Sequence, residues 1–496
     1  MSHIDFHSGN SKNYYDGFKN ILFGTREEHI KAMQKVLTKT LELARRTPSM
    51  QEFDFDSITT LDDLKKSGLY MDPDVFLPRE NSPEIWQRML GDVNIRYTAS
   101  TSGSTGMPKF MSFTDVSLEH ATNGMAAFFE EPIKTLYEQG IEQPVILALT
   151  GTEQFVTYKC IPQLFKNLGV DVVHIPLANV LIDEEAATGL VKIINKMDIH
   201  GISSLPTMMK PLTGTLMQIP NGKLAVERLT EHCSFAGFGG SEIYPILENY
   251  LRDVFGTIVN MLASTEYLVA LGSDGGPGCQ IMHTNPEYCI AGLIPLDETE
   301  KENPKMIYLH EADVGMRGEL VLTLPAGIPW INARTSDYVE VVEGHGKYTT
   351  PAVEYWAKGG KILDIGGARI YPQEFEKGFA ALEDRVSDWL LQAVKGEETK
   401  QVFDTIHVHY EGSAKPKEVF DSLVKHSSEF GDLVTDYPMF QVRVTKVEPH
   451  VLEEQRVARM QMLRGAPGPM KHNIVKGLVY ANIPCSDEAY VAGLKS

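Results

Sequence analysis

The sequence predicts an α/β protein: a large N-terminal domain of mostly parallel sheet flanked by helices, with a β-rich portion, followed by a small C-terminal α+β domain. Three observations lead there. Short apolar runs alternate with helical patterns between Pro144 and Leu262, as in βαβ units. After about Pro286 the texture changes to antiparallel strands between turns. A chain of 496 residues also exceeds what one hydrophobic core fills, so residues 1–360 are assigned to the large domain and 361–496 to the small one.

The elements follow in order. Thr25-Arg26-Glu27-Glu28 fits a capping box, and Ile30, Met33, Leu37, Leu41 and Ala44 then recur at helical spacing before Pro48. Pro144–Leu149, Val170–Ile175, Gly201–Leu205, His232–Phe238 and Thr257–Leu262 read as buried strands. Tyr158–Asn167, Glu184–Met197 and Tyr244–Val254 read as the helices among them. Ligands of such sheets sit at the carboxyl ends of the strands, where loops such as Gly237–Glu242 emerge. Met306–His310, Glu319–Leu324 and Tyr338–Val342 supply the antiparallel portion. A Gly-rich stretch, Lys358–Gly367, precedes a βα pattern containing Ile406–Tyr410, Lys415–Ser428 and Gln441–Val447.

Composition narrows the function. Apolar residues at 43% and charged residues at 23% suit a globular protein, and the formal charge of -20 argues against a nucleic-acid partner. Five scattered cysteines are not a disulfide framework. Met1–Asp5 shows no basic region leading into an apolar stretch, and no apolar run reaches about 18 residues, so neither a secretory signal nor a membrane span is expected. A cytoplasmic setting is the expectation, as monomer or homodimer.

Ser100-Thr101-Ser102-Gly103-Ser104-Thr105-Gly106-Met107-Pro108-Lys109 carries the most information. Hydroxyl side chains interleaved with glycines can wrap phosphate oxygens, and Lys109 adds a point charge. The spacing is not that of a P-loop, which needs four residues between its glycines and a lysine next to the second. A polar turn between two strands is the bland alternative. The order of residues favours more. The segment resembles the Thr-Ser-Gly-Ser-Thr-Gly-x-Pro-Lys signature of the adenylate-forming superfamily, which includes acyl- and aryl-CoA synthetases.

Further segments continue that resemblance. Ala263-Ser264-Thr265-Glu266 is similar to the family's Ser-Thr-Glu segment, which implies that Glu266 holds a magnesium ion and that Thr265 meets the α-phosphate. Leu262 stands where many relatives have Tyr. Gly239-Gly240-Ser241-Glu242 resembles the loop lying against adenine. Asn332-Ala333-Arg334-Thr335-Ser336-Asp337 resembles Tyr-Arg-Thr-Gly-Asp, which gives Asp337 the ribose hydroxyls, with Ser336 in place of Gly. Lys358–Glu376 is similar to the hinge region, with Lys361 at the hinge position and Lys358 nearest to a missing Arg. Near the C-terminus, Gly468-Pro469-Met470-Lys471 best matches the turn bearing a catalytic lysine, with Lys476 second.

The resemblance is greatest to the phenylacetate–CoA ligase group and fainter to the acyl acid–amido synthetases. It implies ATP and Mg²⁺ as cofactors, a small carboxylic acid (aryl or fatty) as substrate, and CoA as acceptor. An amine, an amino acid or a carrier protein is the alternative acceptor, and a non-catalytic nucleotide or acyl binder the alternative class. It also implies that the small domain is a mobile lid turning about Gly359, Gly360, Gly366 and Gly367. The acid is expected against Gly151–Phe155, Cys160–Phe165 and the loop after Leu205. Cys279, His283 and Cys289 match no structural zinc spacing, and no Gly-x-Ser-x-Gly elbow is present for a hydrolase.

Overall fold

The computed structural model describes residues 5–7, 21–101, 109–240, 243, 245–344, 346–358, 363–365, 368–370, 372–394, 404–427, 430–431, 434, 440–462, 474–476 and 489–492. The chain divides into two compact units. One comprises Met1–Ile243 and Leu251–Tyr355, the other Tyr244–Tyr250 and Trp356–Ser496.

In the first unit the strands Asp171–Pro176, Val145–Thr150, Gly201–Ser204, Phe235–Gly239 and Thr257–Ser264 lie side by side in that order, all parallel. They read as continuous apolar runs because helices cover both faces; Val145–Thr150 is buried along its whole length. Phe129 packs edge to face on Phe165 and at a tilt on Phe235, with centroids 5.0 and 6.1 Å away, and the three rings join helix Thr157–Asn167 to the sheet. The N-terminal helix Arg26–Arg46 begins with the expected capping box, and Met33, Leu37, Leu41 and Ala44 are buried. Ile30 instead lies on its exposed side.

Two readings change. His232 ends helix Gly222–His232, and the strand starts only at Phe235, because Ala225, Val226 and Leu229 carry a buried helical face up to that point. Helix Asp115–Ala126 escapes apolar periodicity because small and polar side chains, Ser117, Ala121, Thr122 and Gly124, form its buried face. A Cβ at Gly124 would lie 2.5 Å from the Tyr288 ring, so the close approach there requires glycine.

The sheet turns antiparallel at Leu268–Gly272, earlier than the expected position near Pro286. It continues through Ile281–Thr284, Ala352–Lys358, Pro329–Val342, Arg317–Pro325, Ile290–Pro295 and Ile307–Tyr308, and with Asp5–His7 antiparallel to Asp171–Pro176 at the opposite edge it has thirteen strands among the described residues. Arg334 pairs with Val321 and Tyr338 with Glu319, so Thr335, Ser336 and Asp337 bulge opposite Leu320 alone. Ser336 takes φ +57° there, the left-handed region that glycine enters freely, which explains why the resembling motif has Gly at this position. Glu319 holds the bulge. Its buried carboxylate accepts from Arg334 Nε at 2.9 Å, from Arg334 Nη2 at 2.5 Å and from the Ser336 amide at 3.0 Å.

The second unit has its own five-stranded sheet, in the order Ile474–Lys476, Val386–Val394, Asp404–Gly412, Phe440–Lys446, Ala489–Ala492. One face packs on helices Pro372–Ala380 and Pro416–His426 through Phe375, Phe379, Trp389, Val408, Val444 and Leu423. On the other, Arg456 of helix Val451–Met462 grips Asp388 with two hydrogen bonds, at 2.5 and 2.9 Å.

Removing one partner of a buried charge pair leaves the other uncompensated. Glu319→Ala is expected to cost about 3 kcal/mol and Glu319→Gln less, read as a fall in the thermal unfolding midpoint. An unchanged midpoint in Glu319→Ala would contradict this account of the bulge.

Candidate functional site

Two hairpins of the first unit build the site. In the first, Tyr97–Ser100 pairs antiparallel with Phe110–Phe113. Beyond the last pair, the Thr101 amide donates to Lys109 O at 2.8 Å and the Lys109 amide to Thr101 Oγ1 at 2.9 Å. Thr101 and Lys109 therefore close the base of the connection formed by residues 102–108. Ser102, Gly103, Ser104, Thr105 and Gly106 lie outside the described residues.

The hairpin is seated at the carboxyl end of the parallel strands. The Ser100 amide donates to Gln154 O at 2.9 Å, and the Tyr97 hydroxyl to Phe155 O at 2.8 Å, both in the loop after Val145–Thr150. Gly327 meets it from the other side; a Cβ there would come within 1.8 Å of Ser112 O, so only glycine allows this approach.

The second hairpin joins Thr257–Ser264 to Leu268–Gly272 through the three-residue turn Thr265, Glu266, Tyr267, with Ser264 opposite Leu268. Leu268 takes φ +58°, the left-handed residue that three-residue hairpin loops need. Glu266 leaves this turn toward the first hairpin. Its Oε1 lies 2.9 Å from Lys109 Nζ, and the two side chains are only 15% and 13% exposed. Residues separated by more than 150 positions thus form an ion pair with little water around it.

Hydrogen bonds fix the turn on several sides. Ser264 Oγ accepts from the Glu266 amide at 3.2 Å, and the Trp330 indole N–H donates to Glu266 O at 2.7 Å. The Tyr288 hydroxyl donates to Tyr267 O, and the Tyr267 hydroxyl to Asp337 Oδ2. Tyr267, Tyr288, Trp330 and Asp337 are all buried. Burial, followed by the Asp337 charge, pushes the Tyr267 phenol well above its ordinary range and keeps it a donor. The bulge turns Asp337 into this position, and its amide donates to Thr335 Oγ1 at 3.1 Å.

The structure therefore gathers Thr101, Lys109, Thr265, Glu266 and Asp337 around two neighbouring hairpins. Gly239 ends the strand Phe235–Gly239, and Gly240 follows at φ +78°. Ser241, Glu242, Lys361, the hinge glycines and Lys471 lie outside the described residues. Lys358 ends the strand Ala352–Lys358, and Lys476 ends the edge strand Ile474–Lys476, paired parallel with Val386–Val394. Arg334 turns away to Glu319. Cys160, Leu164 and Phe165, expected near the acid, belong to the hydrophobic core. Sequence reading missed Tyr267, Tyr288 and Trp330; the only signal available was a tyrosine immediately after the Ser-Thr-Glu segment.

No protein-family model and no curated protein matches the sequence. Solved structures do. An acyl acid amido synthetase, AtGH3.15 in complex with 2,4-DB, superposes with a TM-score of 0.64 at 11% identity, over 94% of this chain and 94% of that one. A second GH3.15 structure gives 0.62 at 13% identity, over 93% and 94%. A 2-hydroxyisobutyryl-CoA ligase in its postadenylation state, holding 2-HIB-AMP, gives 0.58 at 12% identity, over 85% and 86%. The chain has the adenylate-forming fold.

In this adenylate-forming fold the aromatic frame leans on a histidine. His120 stacks on Tyr288 with centroids 5.1 Å apart, and its Nε2 lies 3.0 Å from Tyr288 O, so that nitrogen carries the proton. Burial, then the Lys39 charge, pushes the imidazole from 6.5 down to about 4. Between those values the unfolded chain takes up a proton that the folded chain refuses. Stability is therefore intact above about 6.5 and declines as pH falls toward about 4. Replacing His120 with Gln should flatten that part of the profile, measured as urea midpoints at several pH values. A slope identical to the parent's would refute this assignment.

Proposed function

We propose that the chain uses Mg·ATP to activate a carboxylic acid as its acyl-adenylate and then passes the acyl group to CoA. The observation that carries this reading is the Lys109–Glu266 ion pair. It places the lysine closing a hydroxyl- and glycine-rich connection against the carboxylate of the Ser-Thr-Glu turn. A phosphate-binding cation and a metal-binding anion are thereby held at one point.

The residues suit the ligands. A hard cation takes oxygen ligands and often needs only one or two carboxylates beside nucleotide phosphates. Glu266 already faces a cation, the Lys109 ammonium. Mg²⁺, when bound, supplies neutralisation of phosphate charge. Lys109 and the hydroxyls and amides of Ser102–Gly106 hold the phosphates, Thr265 meets the α-phosphate, and Asp337 accepts from the ribose. Gly239, Gly240, Ser241 and Glu242 border the adenine, with Lys358 on the ribose side.

In the first half-reaction a carboxylate oxygen of the acid attacks the α-phosphorus. The bond from that phosphorus to the bridging oxygen breaks, and pyrophosphate leaves. Lys109 steadies charge on the phosphates, and Lys471 (with Lys476 as the second candidate) steadies charge between carboxylate and α-phosphate. In the second half-reaction a thiol sulfur attacks the acyl carbon, losing its proton as AMP departs. An aryl or fatty acid is the proposed substrate. An amino acid in place of CoA is the second reading. It draws support from the amido synthetase, which superposes with a TM-score of 0.64 against 0.58 for the CoA ligase.

The test is hydroxamate formation from purified protein, ATP, Mg²⁺, hydroxylamine and a panel of acids. ATP-dependent hydroxamate is expected with at least one aryl or fatty acid. Lys109→Met and Glu266→Gln should each lower its rate about 100-fold or more, by the measure of single lost electrostatic contacts in other enzymes. ATP binding without hydroxamate from any acid would make the chain a nucleotide binder instead. Mass analysis with CoA or amino acids supplied then identifies the acceptor.

A further inference from the structure

The hydrogen bond from Tyr267 to Asp337 joins two parts of the site that the sequence keeps 70 positions apart. Tyr267 follows Glu266 directly, so a single turn carries both the residue facing the metal and the residue holding the ribose carboxylate. The turn is fixed from behind, at Glu266 O by Trp330 and at Tyr267 O by Tyr288. Asp337 comes to it from a bulge whose Ser336 amide is anchored on Glu319. Both ends of the Tyr267–Asp337 bond are therefore held by other contacts. The bond lies among buried groups, where an orientation error is not averaged out by water.

The geometry points to Tyr267 as a positioning residue for nucleotide selection: by donating to one carboxylate oxygen of Asp337 it sets the orientation in which Asp337 accepts from a ribose. The assignment rests on the proposed use of ATP and on Asp337 as the ribose acceptor. It adds that ribose recognition depends on a side chain outside every motif that suggested the fold. The Tyr267 hydroxyl has one hydrogen to give and gives it to Asp337 Oδ2, so the pairing has one sense. Without the donor, Asp337 keeps its place in the bulge but loses a contact that orients its carboxylate.

The experiment compares kcat/KM for ATP and for 2′-deoxy-ATP in the hydroxamate assay, using an acid that the wild-type chain turns over. Wild type is expected to prefer ATP by about tenfold or more, the worth of one hydrogen bond to a charged group. Tyr267→Phe should raise the KM for ATP about tenfold, leave kcat within about threefold and shrink that preference to near unity. Tyr267→His, whose ring can still donate, should keep part of the preference and serves if the phenylalanine variant does not fold. Tyr308→Phe is the control for stability. It removes the hydroxyl of another buried tyrosine, one that donates to Leu61 O elsewhere in the unit, and it should leave the preference intact. An unchanged preference in Tyr267→Phe, or an equal loss in Tyr308→Phe, overturns the assignment while leaving adenylate formation standing. Wild-type protein that makes no hydroxamate from any acid removes the proposed function, and this assignment with it.

Discussion

Everything at this site depends on keeping opposite charges close together with little water before any ligand arrives. Lys109 and Glu266 meet at 2.9 Å with most of each side chain covered. Either charge alone in that setting would cost several kcal/mol to desolvate. Paired, each stabilises the other. The arrangement also explains why the frame around it is aromatic. Trp330 and Tyr288 cover the turn with their rings and give their single polar hydrogens to its carbonyls, while Tyr267, within the turn, gives its own to Asp337.

That frame depends in turn on backbone irregularities. A regular hairpin would alternate side chains strictly, and neither Glu266 nor Asp337 would be free to leave the pleat. Glu266 does so in a three-residue turn closed by Leu268 at φ +58°, and Asp337 in a bulge that needs Ser336 at φ +57°. Both positions bear ordinary side chains in a region that disfavours them, and local contacts offset the cost. The Ser336 amide finds Glu319, and Leu268 is buried in the core.

What the sequence reveals follows from how local each feature is. The parallel strands are legible because burial on both faces leaves an apolar run, and the N-terminal helix because Thr25 and Glu28 cap it within one turn. Lys109 and Glu266 stand out because each closes a short polar segment of unusual order. Tyr267, Tyr288 and Trp330 do not, since an aromatic residue amid apolar neighbours reads as core and their partners are remote in sequence. His232 is misread for the opposite reason: helix and strand follow each other with only Cys233 and Ser234 between them, so the apolar run spans both. Arg334 lies inside a motif that suggests ligand contact, yet its charge is spent on Glu319. Motif membership locates a strand more surely than it assigns a task to each residue in it.

The distance between the two carboxylates along the sheet shows what the antiparallel half contributes. From Leu268–Gly272 the sheet passes through Ile281–Thr284 and Ala352–Lys358 before reaching Pro329–Val342. Three steps of about 4.8 Å would leave the outer pair about 14 Å apart if the sheet were flat. Yet Tyr267 bonds Asp337, and Trp330 of the same far strand bonds the carbonyl of Glu266. The sheet must therefore curl until its antiparallel portion closes over the turn it started from, as twisted strands with bulges do. Strand pairing brings Glu266 to the edge of the parallel sheet, and curvature brings Asp337 back to meet it. Both carboxylates thus come from one sheet, while Lys109 reaches Glu266 from the separate hairpin beside it.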